Sequence, residues 1–227
     1  MTFADLFGRA AEYDATEDAV RVALADRRSN SDPDRSPRTD EDADSHTEDS
    51  SKDFSTADRD PSPARVVADA DVLAMDLFID GSAREALDAL RSHSWTTLVA
   101  SDPLLDDAEA VIAALADDEL AADWRAAVEA WREPVAHPTN DHPALASAYR
   151  GGAMQVVSLD PSLTGPKAAA GLRDRMPVSV RDPRAFATVF SPRGLYPETV
   201  GGEYPGPDRD PRSLGAVRSK TDGDQHG

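Results

Sequence analysis

The chain has 227 residues, and its 24 basic and 43 acidic side chains leave a formal net charge of −19. Cysteine is absent, which excludes a disulfide framework, a thiolate zinc site and cysteine-nucleophile chemistry. No apolar run approaches the roughly 18–20 residues of a membrane span, and the start lacks the basic-then-apolar layout of a signal peptide, so a soluble, cytoplasmic protein is expected.

The first elements are helical. Phe3, Leu6, Phe7 and Ala10 recur at helical spacing behind a capping Thr2, and Thr16 caps a second helix with Val20, Leu24 and Ala25 on one face. Two such helices (1–28) bury too little to be stable alone. They are expected to dock on the main domain, on a second copy of the chain or on a protein partner. From 29 to 63 the composition is Asp, Ser, Thr, Pro and Arg, with no hydrophobic period to offset ordering entropy, and a disordered acidic linker is predicted. Residues 198–227 are turn-rich and polar and are predicted to form a flexible tail.

The folded unit is placed at 64–197. Its expected strands are the run around Arg65–Ala68, Thr96–Ser101, Met154–Leu159 and Pro177–Arg181. Helices are expected at Asp76–Ile79, Ser82–Leu90, Asp102–Ala116, Asp118–Trp131, Asp141–Tyr149 and Pro183–Phe190, the fifth of these stopping at Gly151-Gly152. Short apolar strands alternating with helices predict a three-layer α/β/α fold with a mainly parallel, four- to five-stranded sheet.

The acidity must be read locally. Only Lys52, Lys167 and Lys220 are lysines; with many Asp and abundant Ala and Val, the composition resembles that of proteins from salt-loving archaea. In molar salt the Debye length falls to about 3 Å, and net charge then says little about distant partners. Between Arg150 and Arg193 seven basic residues face three acidic ones, a local net of +4. Arg150, Lys167, Arg173 and Arg175 are the candidates for holding a nucleic-acid backbone.

In a parallel sheet, sites form beyond the carboxyl ends of the strands. Asp69 follows Val66-Val67-Ala68, and Asp160 follows Val156-Val157-Ser158-Leu159. Asp107 lies in the first two turns of the helix after the second strand, with Asp106 as an adjacent alternative, and Asp141 begins the helix before the third. Carboxylates packed together repel unless neutralised, and an all-oxygen set suits Mg²⁺ or Mn²⁺. Such a site predicts metal-assisted phosphodiester hydrolysis.

These segments resemble the PIN-domain nucleases. The carrying motifs are Val66-Val67-Ala68-Asp69-Ala70-Asp71-Val72-Leu73, then Leu98-Val99-Ala100-Ser101 followed by an acid two turns into a helix. Next come Asp141 opening the alanine-rich stretch Pro143–Ala148, and Val156-Val157-Ser158-Leu159-Asp160. The order holds from about Arg65 to Phe190. The resemblance implies a PIN-like fold and metal-binding, catalytic roles for Asp69, Asp107, Asp141 and Asp160. It also implies supporting roles for Asp71, where the family usually has Asn, and for Ser158. The implied function is a divalent-metal-dependent endoribonuclease acting on RNA, with DNA as the lesser alternative. Asp in place of the usual Glu at position 107 is a departure from the family.

Several features have plainer readings. Asp102, Asp106, Asp117, Asp118 and Asp123 read as surface charges, His137 and His142 as loop histidines, and Trp95, Trp124 and Trp131 as packing residues rather than base platforms. A non-catalytic PIN-like scaffold recruiting a partner through the N-terminal helices is the main rival function, and a toxin of a toxin–antitoxin pair a lesser one.

Overall fold

The computed structural model describes residues 1–30, 59–138, 141–165 and 177–215. Two helices come first, α1 (Phe3–Ala10) and α2 (Glu17–Asn30). Strand β1 (Ser62–Ala68) leads into α3 (Ala70–Phe78) and α4 (Ser82–Arg91), and β2 (Thr97–Ser101) into α5 (Asp102–Leu115) and α6 (Asp118–Glu129). There follow β3 (Arg132–Val135), α7 (Pro143–Gly151), β4 (Ala153–Val157), α8 (Pro161–Thr164), β5 (Ser179–Arg181), α9 (Pro183–Val189) and α10 (Pro192–Thr199). Among the described residues no helix is long and apolar enough to cross a membrane.

The five strands form one parallel sheet in the order β3-β2-β1-β4-β5, flanked by helices in a three-layer α/β/α arrangement. The chain winds outward from β1 to β3, crosses back through α7, and continues to β4 and β5. Right-handed crossovers therefore set the helices after β1 and β2 on one face and α7 on the other. The winding reverses between β1 and β4, with Val67 opposite Val156 and Ala68 opposite Val157. That junction is where a parallel sheet opens a crevice. The central strands are apolar on both faces because helices cover both: Val66, Val67, Ala68, Leu98, Val99, Val156 and Val157 are all buried.

Where α7 meets β4 the backbone leaves no room for side chains. A Cβ on Gly151 would fall 2.2 Å from Val99 Cγ1, and Gly152 closes the helix at φ +61°.

The helix pair docks in cis. Thr2 and Asp5 form a reciprocal capping box at α1. Its apolar side buries Phe3, Leu6, Phe7 and Ala10, with Phe3 edge-on to Trp131. Arg91 is fully buried beneath it, its guanidinium 4.4 Å from the Phe3 ring centre and paired bidentately with Asp76 at 2.7 Å and 2.7 Å. Arg9 reaches Asp123 at 2.6 Å, so Asp123 is a docking contact rather than a bare surface charge. Asp117 likewise caps α6 and accepts from the Tyr13 hydroxyl.

Several expected boundaries are corrected. The helix after β1 starts at Ala70, not Asp76, because Asp69 caps it directly. Helix α7 starts at Pro143 with His142, not Asp141, at its cap. Strand β3 and helices α8 and α10 are additional elements. The expected tail from 198 is ordered as far as 215: the Phe3 and Ala4 N–H groups donate to Leu214 and Arg212 carbonyls at 2.9 and 3.0 Å, and Asp208 binds the Ser94 N–H at 2.8 Å. Helix α2 and strand β1 each run a little into the expected linker, of which residues 31–58 lie outside the described ones.

Candidate functional site

Three of the four predicted acids come together at the switch point. Asp69 is fully buried at the N-cap of α3. Its Oδ1 accepts the Ala70 N–H at 2.8 Å and its Oδ2 accepts the Ser158 hydroxyl at 2.9 Å, while its own N–H extends the ladder to the Val157 carbonyl. The Ser158 oxygen also accepts the Asp160 N–H at 3.1 Å. One hydroxyl thus fixes the side chain at the end of β1 and the backbone beyond β4. Asp160 caps α8, its Oδ1 accepting from Ser162 N–H at 2.7 Å. Asp107 arrives from α5 with only 8% of its surface exposed, whereas Asp106 turns outward to Arg125 at 2.7 Å. Helical phase selects Asp107.

A cation already stands among them. Arg28, from the last turn of α2, donates through Nη2 to Asp69 Oδ1 at 2.9 Å. The same guanidinium lies 3.8 Å from Asp107 Oδ2 and 3.7 Å from Asp160 Oδ2, and Arg27 Nε approaches Asp107 Oδ1 at 3.3 Å. Among the described residues no three His, Asp or Glu side chains stand close enough together to share a metal ion. Asp69, Asp107 and Asp160 offer the hard oxygen donors that Mg²⁺ or Mn²⁺ takes, but they are arranged around a guanidinium.

Asp71 lies beneath this layer. It is buried, its Oδ1 accepting the Val72 N–H at 2.6 Å and its Oδ2 the Leu159 N–H at 3.1 Å, so it ties α3 to the end of β4. Burial, reinforced by the charge of Asp69, pushes its carboxyl up to about 8. Burial also raises Asp107, outweighing the opposing pull of Arg28 and Arg27.

The fourth acid, Asp141, sits half-buried one residue before the cap of α7. Its neighbour His142 is the closer participant. Its Nδ1 accepts the Ala144 N–H at 3.3 Å, and its buried Nε2 has no hydrogen-bond partner among the described residues. Burial lowers its pKa, and the charges of Asp69, Arg28, Asp160 and Asp107 all act on it. His142 is therefore not a plain loop histidine.

Of the predicted backbone-binding residues, Lys167, Arg173 and Arg175 lie outside the described ones. Arg150 lies in the last turn of α7 just before β4 begins, which sets it at the amino end of the strands, opposite the carboxyl end where Asp160 lies. Among the described residues, the basic side chains that reach the acids are Arg27 and Arg28, from a helix whose arginine spacing does not single them out.

Residues 60–212 match DUF7384, described as a family of unknown function. The chain belongs to this family. No curated protein and no solved structure matches it. The DUF7384 match takes in Asp69, Asp107, Asp141, His142, Ser158 and Asp160, and it begins after the helix that carries Arg27 and Arg28.

Proposed function

We propose that this DUF7384 domain is a PIN-like nuclease that hydrolyses phosphodiester bonds, in RNA before DNA, with Mg²⁺ or Mn²⁺ held by Asp69, Asp107 and Asp160 and with Asp141 at the margin. One observation carries the reading: the buried Asp69 and Asp107 carboxylates and the half-buried Asp160 carboxylate, from the ends of β1 and β4 and from α5, lie within 4.0 Å of a single cationic group at the switch point of a parallel sheet. Ionised carboxylates are not gathered in a buried place without a positive charge to offset them. A divalent cation there supplies charge neutralisation for a phosphoryl oxygen and a water acidified toward neutrality. Ser158 and the Ala70 N–H hold both Asp69 oxygens in place, and Asp71 anchors the floor. The composition sets the conditions, the cytoplasm of a salt-adapted cell. With purified full chain in molar KCl and saturating Mn²⁺, RNA is expected to be cut, and the Asp69→Asn/Asp160→Asn variant to be inert. Equal trace cleavage by the two proteins would remove the proposal.

A second reading, a non-catalytic PIN-like scaffold, is favoured by Arg28 itself, which already neutralises the cluster. Melting separates the two. Saturating Mn²⁺ raises the midpoint through Asp69 in the nuclease and leaves it unmoved in the scaffold.

A further inference from the structure

We infer that α2 is a built-in plug, its Arg28 guanidinium occupying the cation position of the acidic site and leaving when a divalent cation enters. The inference rests on the nuclease reading and adds a regulation to it.

Two arginines of this chain show the difference between a permanent ion pair and a displaceable one. Arg91 is fully buried, bidentate to Asp76 at 2.7 and 2.7 Å, and holds Asp88 at 2.7 Å as well. Arg28 keeps a quarter of its side chain in solvent (26%) and makes one close contact, at 2.9 Å to Asp69. Its approaches to Asp107 and Asp160 stretch to 3.8 and 3.7 Å, and its buried Nε has no hydrogen-bond partner among the described residues. A guanidinium can donate five hydrogen bonds. Here it neutralises three carboxylates while satisfying few of its own donors, as a stand-in charge does.

The seat of α2 has few apolar anchors. The helix buries Val20 and Leu24, against four apolar residues for the shorter α1. Between it and the end of β4 lies a cavity of about 390 Å³, bordered by Arg21, Leu24, Arg28, Asp71 and Asp160. Arg28 is also the third residue from the helix end, within the turn that frays first. The plug can therefore swing out by unwinding one turn, without dismantling the sheet that positions the acids.

Linkage fixes the test: if Arg28 and the cation compete, weakening one strengthens the other by the same factor. Mn²⁺ binding to the full chain is read by the electron paramagnetic resonance of free Mn²⁺, with Arg28→Gln and Arg28→Ala beside the wild type. The expected result is affinity about tenfold or more above wild type in both variants, lost when Asp69→Asn is added. In the wild type, Mn²⁺ is expected to speed amide hydrogen exchange in residues 24–30, which also serves if either variant folds poorly. Asp69-dependent binding of equal strength in all three proteins, with unchanged exchange in α2, overturns the plug and leaves the nuclease standing. No Asp69-dependent binding in any of them overturns both.

Discussion

Asp71 carries the most definite consequence at the scale of single residues. Its carboxyl is raised to about 8 by burial and by Asp69, against about 4 in an unfolded chain. The folded protein therefore holds a proton that the unfolded chain releases above pH ~4. The stability contributed is full below that pH and is lost as the pH rises through about 8, with a slope of at most about 1.4 kcal/mol per pH unit. Asn at position 71 is isosteric and cannot titrate, so the urea-unfolding free energy of the wild type should fall relative to that of Asp71→Asn as the pH rises from 5 to 8. Parallel curves would mean that Asp71 is ionised in the native chain. His142, lowered by burial, works in the other direction, losing stability as the pH falls below ~6.5, and drops out of the comparison because both proteins keep it. Asp69 and Asp160 were legible because each follows a buried apolar strand, where an acid needs a reason to be. Arg28 was not. It meets Asp69 across 41 positions of sequence, and a helix with arginines on several faces does not announce which of them turns inward.

Among the elements, α1 shows how an add-on becomes part of the core. Its Phe3 and Phe7 cover Arg84 and Arg91, and Arg91 in turn is held by Asp76 of α3. Removing one partner of such a pair costs about 3–5 kcal/mol where it strands the other charge in a dry place. Arg91 keeps Asp88 at 2.7 Å, so Asp76→Asn should lose up to about that much in urea unfolding, whereas Asp106→Asn, at the exposed end of the Arg125 network, should lose less than about 1 kcal/mol. Similar losses in both would show that Arg91 is not fixed by Asp76. The helices and inner strands could be read from apolar spacing and caps. Strand β3 could not, since Arg-Glu-Pro-Val is a half-exposed edge with no apolar run. Helix α10 was hidden by Gly194 and the internal Pro197, and the strap over 201–215 by a turn-rich composition whose ordering depends on partners far away in sequence: Ser94, His93 and the first turn of α1.

For the whole molecule the governing quantity is the −19 net charge, and its effect on stability is set by how the arginines are shared. Arg125 alone serves Asp102, Asp106, Glu109 and Glu129, at 3.5, 2.7, 3.3 and 2.8 Å, and Glu129 and Asp102 are contacted again by Arg132. The acids so gathered repel one another as well as attracting the arginine. Salt weakens both effects, but exposed pairs contribute little each, whereas repulsion sums over the whole excess of carboxylates. Added KCl should therefore raise the melting temperature. The shape of the rise identifies its cause. The Debye length shrinks from about 10 Å at 0.1 M to about 3 Å at 1 M, so a screening effect is mostly spent by about 1 M, while an effect of salt excluded from the surface keeps growing beyond it. A steep gain that flattens near 1 M is expected from the charge distribution. A midpoint that falls over the same range would mean that the shared arginines outweigh the repulsion, and that the surface is organised by its ion pairs rather than by its excess charge.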